Sequence, residues 1–304
     1  MRYREDASLD TSNVQDRRGG AGRAVALGGG GLGVVGVVVV LLLQLLGGGG
    51  GTGGAADQLG PVLDGLGSGG SATQEDLAAE CRTGQDANDR TECAVVADIE
   101  SIQDYWAGRL GKRYEPSDTV FFSDRTDTGC GAATSGVGPF YCPADRLVYI
   151  DLSFYDDLQS RFGAEGGLFV DAYVLAHEYG HHVQDLLGTE AKVRQGETGP
   201  TSGSVRLELQ ADCYAGTWAN HATTVPDDSG APLIAEITQD DLDRALDTAG
   251  RIGDDFIQRE LGGGRVDEGS FTHGTSEQRR HWFTTGYESG DPARCDTFAA
   301  RDLG

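Results

Sequence analysis

The sequence is poor in positive charge, and this scarcity excludes several kinds of partner. Its 304 residues contain 24 Lys and Arg against 48 Asp and Glu, a formal net charge of −24. Only two of the cations are lysines, Lys112 and Lys192. A chain of this sign repels phosphate groups, so neither nucleic acid nor anionic lipid is expected as its main partner. The chain is 38% hydrophobic, which suffices for a sizeable core in one large domain or two small ones.

Charge is absent altogether from residues 24–56. Within this stretch, residues 24–46 are 23 uncharged and mainly apolar positions, and a helix needs roughly 20 such residues to cross a bilayer. Five arginines precede the stretch and no Lys or Arg follows closely, a bias that keeps the N-terminus in the cytoplasm. We therefore predict a single-pass protein of the cell membrane, held in the lipid bilayer by one N-terminal helix.

The predicted organisation has four parts. They are a cytoplasmic tail (1–23), a transmembrane helix (24–46), a Gly-rich linker (47–73) and an extracytoplasmic domain (74–304). A cleaved signal peptide ending near residues 52–57 is the alternative, because small residues precede Asp57.

All six cysteines follow the apolar stretch, so disulfides are expected if the domain lies outside the cytoplasm. Six cysteines allow about fifteen pairings, and the sequence does not choose among them. We predict that neighbours pair; some cysteines remaining as buried thiols is the alternative. The predicted pairs are Cys81–Cys93, Cys130–Cys142 and Cys213–Cys295. No C-x-x-C occurs, which disfavours a cysteine zinc site.

The periodicity of the remaining chain predicts an α+β fold. Residues 91–111 space apolar side chains at helical intervals, and two aromatic and β-branched stretches indicate short strands on either side of a glycine-rich loop. The strands are expected within 118–124 and 146–157, and the loop over 129–142. Further helices are expected over 167–187, 202–223, 238–261 and from 276. This order predicts a small antiparallel sheet followed by a mostly helical body.

The five letters HEYGH, His177 to His181, fit the H-E-x-x-H pattern. Residues four apart share one face of a helix, so His177 and His181 can offer two imidazole nitrogens to one Zn²⁺. Glu178 is rotated by about 100° around that helix, which places it beside the metal as a general base for an activated water. The third histidine, His182, is about 140° from His177 and is not expected to be a ligand.

A catalytic zinc site usually has three protein ligands, and the stretch LELQADCYAG supplies the third. Glu208 completes a two-histidine, one-glutamate set. Asp212, one turn later, can accept the other ring N–H of a ligand histidine and fix its tautomer. We also predict that Gly180 lets the Glu208 helix pack closely.

The motifs SNVQDRR, HEYGHHVQ, ELQADCYAG and THGTSEQRRHWFTTGY, in this order, resemble the bacterial putative neutral zinc metallopeptidase family, a gluzincin-like group. The resemblance implies a zincin-like fold with an N-terminal membrane span and an outer catalytic domain. It also implies that His177, His181 and Glu208 bind zinc and that Glu178 is the base.

The resemblance extends to a candidate for stabilising the oxyanion of peptide hydrolysis. Related membrane zinc proteases carry a His-Pro-…-Arg segment where this chain has His273 and Arg279, with Gly274 in place of the proline. His273 is the expected donor, with Tyr179 and Tyr214 as rivals. Arg279 is expected to orient Glu208 or to bind substrate.

Two functions follow. The first is a membrane-anchored zinc endopeptidase that acts on a protein or peptide substrate. The alternative is a non-catalytic membrane protein whose zinc site serves folding or partner binding. The sequence does not specify an oligomeric state.

Overall fold

A computed structural model describes residues 1–18, 74–227 and 229–304. The predicted transmembrane helix (24–46) and linker (47–73) lie outside these residues. Within the described ranges, no helix is both long enough and apolar enough to cross a membrane.

The fold combines short strands with a larger helical body, as the α+β prediction required. The helices are α1 (Gln74–Glu80), α2 (Gly84–Asp89), α3 (Thr91–Leu110), α4 (Phe154–Ser160), α5 (Leu168–Leu186), α6 (Gly203–His221), α7 (Gln239–Arg251), α8 (Asp254–Phe256) and α9 (Ser276–Ser289). The strands are β1 (Arg2–Tyr3), β2 (Val14–Asp16), β3 (Thr119–Phe121), β4 (Arg125–Thr128), β5 (Gly131–Thr134), β6 (Phe140–Cys142), β7 (Leu147–Ile150) and β8 (Ile234–Glu236).

The main sheet is mixed, so the prediction of an antiparallel sheet was wrong. Its strand order is β2-β3-β7-β6, in which only β6 and β7 run antiparallel. Parallel neighbours need a long crossover connection. The long stretch between β2 and β3 includes α3, and the β4–β6 region separates β3 from β7.

Two segment predictions were also wrong. The expected loop over 129–142 contains β5 and β6, and β5 pairs with β4 in a hairpin. The helix expected over 238–261 is interrupted after Arg251 because Gly253 is extended and lies against the start of α9; helical turns resume over Asp254–Phe256 and Ile257–Leu261. A Cβ on Gly253 would be 2.4 Å from the Ser276 nitrogen, so this close approach requires glycine.

The other helices and all three predicted disulfides are confirmed. The helix expected over 91–111 is α3, and Gly188 follows α5 in the left-handed conformation (φ 69°) that favours a glycine there. Thr238 and Asp241 form a capping box at the start of α7. The disulfides join Cys81 to Cys93, Cys130 to Cys142, and Cys213 to Cys295.

The first 18 residues lie within the same body as residues 74–304, although the sequence suggested a separate cytoplasmic tail. β1 pairs with β8, and β2 is the edge strand beside β3. Tyr3 is fully buried and donates a hydrogen bond to Asp98 (2.8 Å). The amide of Asp16 donates a hydrogen bond to the Gln74 side chain (3.0 Å), so the end of β2 lies next to the start of α1.

Helices α5 and α6 form the centre of the molecule and cross in direct backbone contact. A Cβ on Gly180 would lie 3.0 Å from the Ala211 Cα. This contact confirms the prediction that Gly180 admits the Glu208 helix. It also brings the polar faces of the two helices within reach of each other, inside an otherwise apolar core.

Candidate metal centre

Three buried side chains from α5 and α6 converge on one point. His177 Nε2 lies 3.1 Å from Glu208 Oε2 and 3.2 Å from His181 Nε2. His181 Nε2 lies 3.6 Å from the other carboxylate oxygen, Glu208 Oε1. In the described ranges, this is the one group of three or more His, Cys, Asp or Glu placed to hold a metal ion.

The spacing of these atoms fits a zinc ion. Ligand bonds of about 2.0–2.1 Å at tetrahedral angles separate neighbouring ligand atoms by about 3.3–3.4 Å. The His177–His181 and His177–Glu208 distances of 3.2 and 3.1 Å are close to that value, and the His181–Glu208 distance of 3.6 Å, measured to the other carboxylate oxygen, is slightly longer. Two nitrogens and a carboxylate are also ligands that zinc prefers.

The outer nitrogens of both histidines have acceptors that fix their tautomers. His177 Nδ1 lies 2.9 Å from Asp212 Oδ1, and His181 Nδ1 lies 2.9 Å from Gln184 Oε1. Because carboxylate and amide oxygens accept hydrogen bonds, each Nδ1 carries a proton there, and in the neutral ring each Nε2 then presents a lone pair. Two lone pairs and a carboxylate therefore face one another, an arrangement that a cation stabilises.

The electrostatics of the site also favour a bound cation. Burial lowers the pKa of His177, but Asp212 and Glu208 outweigh it and raise that pKa to about 10. Burial also opposes ionisation of Glu208, yet His181 and His273 hold its pKa well below the usual value. Glu208 is therefore ionised at neutral pH, and positive charge is favoured among these residues.

Asp212 supports His177 and also accepts hydrogen bonds from two other buried residues. It is fully buried and accepts hydrogen bonds from Tyr173 Oη (2.6 Å) and from Arg279 Nε (2.8 Å) and Nη2 (2.9 Å). Arg279 therefore clamps Asp212, and no direct bond to Glu208 is formed in the described structure. The guanidinium neutralises a carboxylate that would otherwise be costly to bury.

Glu178 lines the cavity beside the ligands. Its carboxylate oxygen Oε2 accepts a hydrogen bond from the backbone amide of Tyr141 in β6 (3.0 Å). Burial raises the pKa of Glu178 above its usual value, although His177 and His181 oppose this. A carboxylate of raised pKa is better matched to taking and returning a proton near neutral pH.

A cavity of about 140 Å³ opens onto these groups. Its polar lining consists of the three ligand candidates, Glu178, His273 and Arg279. Its apolar lining includes Phe154, Phe162, Val174, Ile252 and Ile257.

His273 is positioned by an aspartate that the sequence did not reveal. Asp254 Oδ2 accepts the backbone amides of Thr272, His273 and Gly274 at 2.7, 2.7 and 3.0 Å. Its Oδ1 lies 3.4 Å from His273 Nδ1. Asp254 thus holds the loop that brings His273 to the cavity wall.

The two rival donors are not among the cavity-lining residues. The Tyr179 hydroxyl donates to the Ser117 carbonyl (3.1 Å) and lies 3.0 Å from the Thr119 hydroxyl. Tyr214 packs edge-on against Trp106. The geometry therefore favours His273 over both.

Sequence reasoning missed several supporting residues. Gln184 and Tyr173 share helical spacing with His181 and His177, at i+3 and i−4, and a search for polar groups at those spacings would have found them. Asp254 gives no local signal because it is 19 residues before His273. His182 is not part of the group formed by His177, His181 and Glu208. It is fully buried and bonded to Tyr141 (3.1 Å).

Comparison with known proteins finds a family and several related sequences. A family model described as putative neutral zinc metallopeptidase matches residues 1–298. An uncharacterized protein of Mycobacterium tuberculosis is 45% identical over 255 residues, which cover 80% of this chain and 86% of the relative. The uncharacterized protein YpfJ of Escherichia coli is 43% identical over 248 residues, covering 80% and 83%. No solved structure matches the chain.

Proposed function

Since this chain belongs to the putative neutral zinc metallopeptidase family, we propose that it is a zinc-dependent endopeptidase whose metal is held by His177, His181 and Glu208. The observation that carries the proposal is the convergence of these three buried ligands with Glu178 at one cavity. When bound, zinc supplies Lewis-acid chemistry that polarises a carbonyl and acidifies a water.

Residues of the chain supply proton transfer, positioning and stabilisation of the oxyanion. Glu178 takes the proton of the attacking water and returns it to the leaving amine. The Tyr141 amide holds one oxygen of that carboxylate in place (3.0 Å). His273, fixed by Asp254, donates a hydrogen bond to the oxyanion that forms on the former carbonyl oxygen.

The apolar lining of the cavity indicates the kind of peptide that fits. Phe154, Phe162, Val174, Ile252 and Ile257 present hydrocarbon and aromatic surface next to the ligands. We expect a large apolar side chain beside the cleaved bond, because burial of such a group stabilises the complex by about 1.5–3 kcal/mol.

Three disulfides favour a compartment outside the cytoplasm. Residues 1–18 pack into the disulfide-bonded body and would share that compartment. A helix that crosses the bilayer once over residues 24–46 would place residues 1–18 and 74–304 on opposite sides of the membrane, so the single-pass anchor stays a prediction of the sequence that this packing opposes.

The alternative, a structural zinc site, normally requires four protein ligands. The group found in the described ranges has three, and it faces a cavity.

The test uses the purified full-length chain. We expect about one zinc per chain and cleavage of an unfolded protein such as casein, lost on chelation and restored by zinc. Glu178→Gln should keep zinc and reduce kcat by about 10²–10⁴-fold, the typical contribution of a general base. Undiminished cleavage by Glu178→Gln would refute the proposed mechanism, and zinc binding without any cleavage would favour the structural alternative.

A further inference from the structure

His182 is a buried polar residue that the proposed chemistry does not use. It is fully buried and follows Glu178 by four residues on α5, so the two side chains share one face of the helix. Asp185 continues the same face, seven residues after Glu178. This stripe differs from the one that carries the ligand histidines.

All three side chains of this stripe contact a single residue, Tyr141 of β6. Glu178 Oε2 accepts the Tyr141 backbone amide at 3.0 Å. The phenol oxygen of Tyr141 lies 3.1 Å from His182 Nδ1 and 3.0 Å from Asp185 Oδ2. Tyr141 is therefore held by its amide and by its hydroxyl, at points about two helical turns apart.

His182 also ties this contact to the preceding chain. Its Nε2 lies 2.7 Å from the carbonyl oxygen of Glu115. Because a carbonyl only accepts hydrogen bonds, Nε2 carries a proton and Nδ1 of the neutral ring is an acceptor. The single proton of the Tyr141 hydroxyl is therefore shared between His182 Nδ1 and Asp185 Oδ2. The imidazole thus bridges β6 and the segment before β3.

The bridge matters because β6 is the last strand of the sheet. It pairs with β7 on one side, and on the other it has the contacts with α5. Gly138, Pro139 and Phe140, directly before Tyr141, line the cavity. A shift of β6 would therefore move both the amide that holds Glu178 and one wall of the substrate site.

We propose that His182 is a positioning residue which acts through Tyr141 to hold the general base Glu178 in place. This inference rests on the proposed peptidase function. His182 does not touch the metal ligand atoms or the reacting groups. The His182 imidazole holds the Tyr141 phenol, and this contact holds strand β6 in place. The backbone amide of Tyr141 in that strand then holds the Glu178 carboxylate.

The discriminating variant is Tyr141→Phe, which keeps the ring and the amide but removes the hydroxyl. Misplacing a catalytic group by about 1 Å can reduce the rate by roughly 10²-fold. We expect partial release of the strand to lower kcat about tenfold, with KM within about twofold of wild type and zinc content unchanged.

Tyr179→Phe is the matched control. Tyr179 is the residue after Glu178 on the same helix, is fully buried, and has its own hydroxyl bonded to the Ser117 carbonyl (3.1 Å). Tyr179→Phe removes a comparable buried hydroxyl whose partners are Ser117 and Thr119, and not Tyr141 or Glu178. We expect a similar loss of thermal stability but wild-type kcat.

Two substitutions at His182 provide the second measurement. His182→Leu should reproduce or exceed the kcat loss of Tyr141→Phe. His182→Gln retains both a donor and an acceptor and should recover part of kcat.

The outcomes separate this inference from the proposed function. Wild-type kcat in Tyr141→Phe, or an equal kcat loss in Tyr179→Phe, overturns the positioning role while peptidase activity stands. Loss of zinc in parallel with kcat also overturns it. A wild-type protein that binds zinc and cleaves no peptide overturns both.

Discussion

Replacing Asp212 by Asn should weaken zinc binding and also destabilise the metal-free fold. The substitution keeps the size of the side chain but removes its charge and gives it an NH₂ group. In wild type, Asp212 Oδ1 accepts hydrogen bonds from Tyr173, His177 and Arg279 Nη2. Its Oδ2 accepts a hydrogen bond from Arg279 Nε. Either orientation of the amide therefore sets an NH₂ group against at least one donor.

The magnitude follows from what His177 loses. Residues that orient a metal-binding histidine typically contribute 10–100-fold to metal affinity, which is about 1.4–2.8 kcal/mol. Arg279 is only 3% exposed, and an unpaired buried charge costs about 3–5 kcal/mol. Because the Asn oxygen still accepts one hydrogen bond, we expect the metal-free variant to lose less than that amount.

The assay is competition for zinc with a chromophoric chelator at neutral pH, accompanied by urea unfolding of the metal-free proteins. Asp243→Asn, an exposed position on α7, removes the same charge far from these contacts and should match wild type in both measurements. A zinc affinity for Asp212→Asn within twofold of wild type would refute the reasoning about the His177 tautomer.

Three further predictions test other parts of the structure. Burial raises the pKa of Asp171 from its usual 3.8 to about 8, so the folded state retains a proton that the unfolded state releases. The free energy of unfolding should therefore fall from pH 4 to about pH 8, and urea melts of Asp171→Asn should lack this decrease. Gly180→Ala should destabilise the protein by about 1–3 kcal/mol through overpacking against Ala211, whereas Gly108→Ala, with nothing within 4 Å, should stabilise it by about 0.5–1 kcal/mol in thermal melts. Cysteines introduced at the exposed Asp6 and Asp243 should react with a membrane-impermeant maleimide from the same side of the membrane; reaction of only one of them from outside would contradict the packing of residues 1–18.

The helices of the site were predictable because their signals are local. The apolar residues around HEYGH, the glycine at 188 and the capping residue Thr238 act within one or two turns. The ligand set was also accessible, since i, i+4 spacing places His177 and His181 together whatever surrounds them.

The sheet was less predictable because its neighbours are distant in sequence. β2 joins β3 across more than a hundred residues, and no local pattern shows that pairing or its parallel direction. The same holds for Asp254, whose carboxylate collects three amides from residues 272–274. The packed state of Tyr3 depends on Asp98, which is equally remote.

His182 shows why one spacing rule is insufficient. Its angle around α5 excluded it from the ligand set and also placed it in line with Glu178. The partner on that face, Tyr141, comes from an edge strand that the sequence suggested was part of a loop. Its role therefore depends on the fold around it.

The most direct test of the central claim is the coordination of the bound metal, measured by X-ray absorption at the zinc edge together with a crystal structure of the zinc-loaded protein. We predict zinc bonded to His177 Nε2, His181 Nε2 and a Glu208 oxygen, with the remaining position facing the cavity and free of protein ligands. A fourth protein ligand, or zinc bound at other residues, would contradict the account.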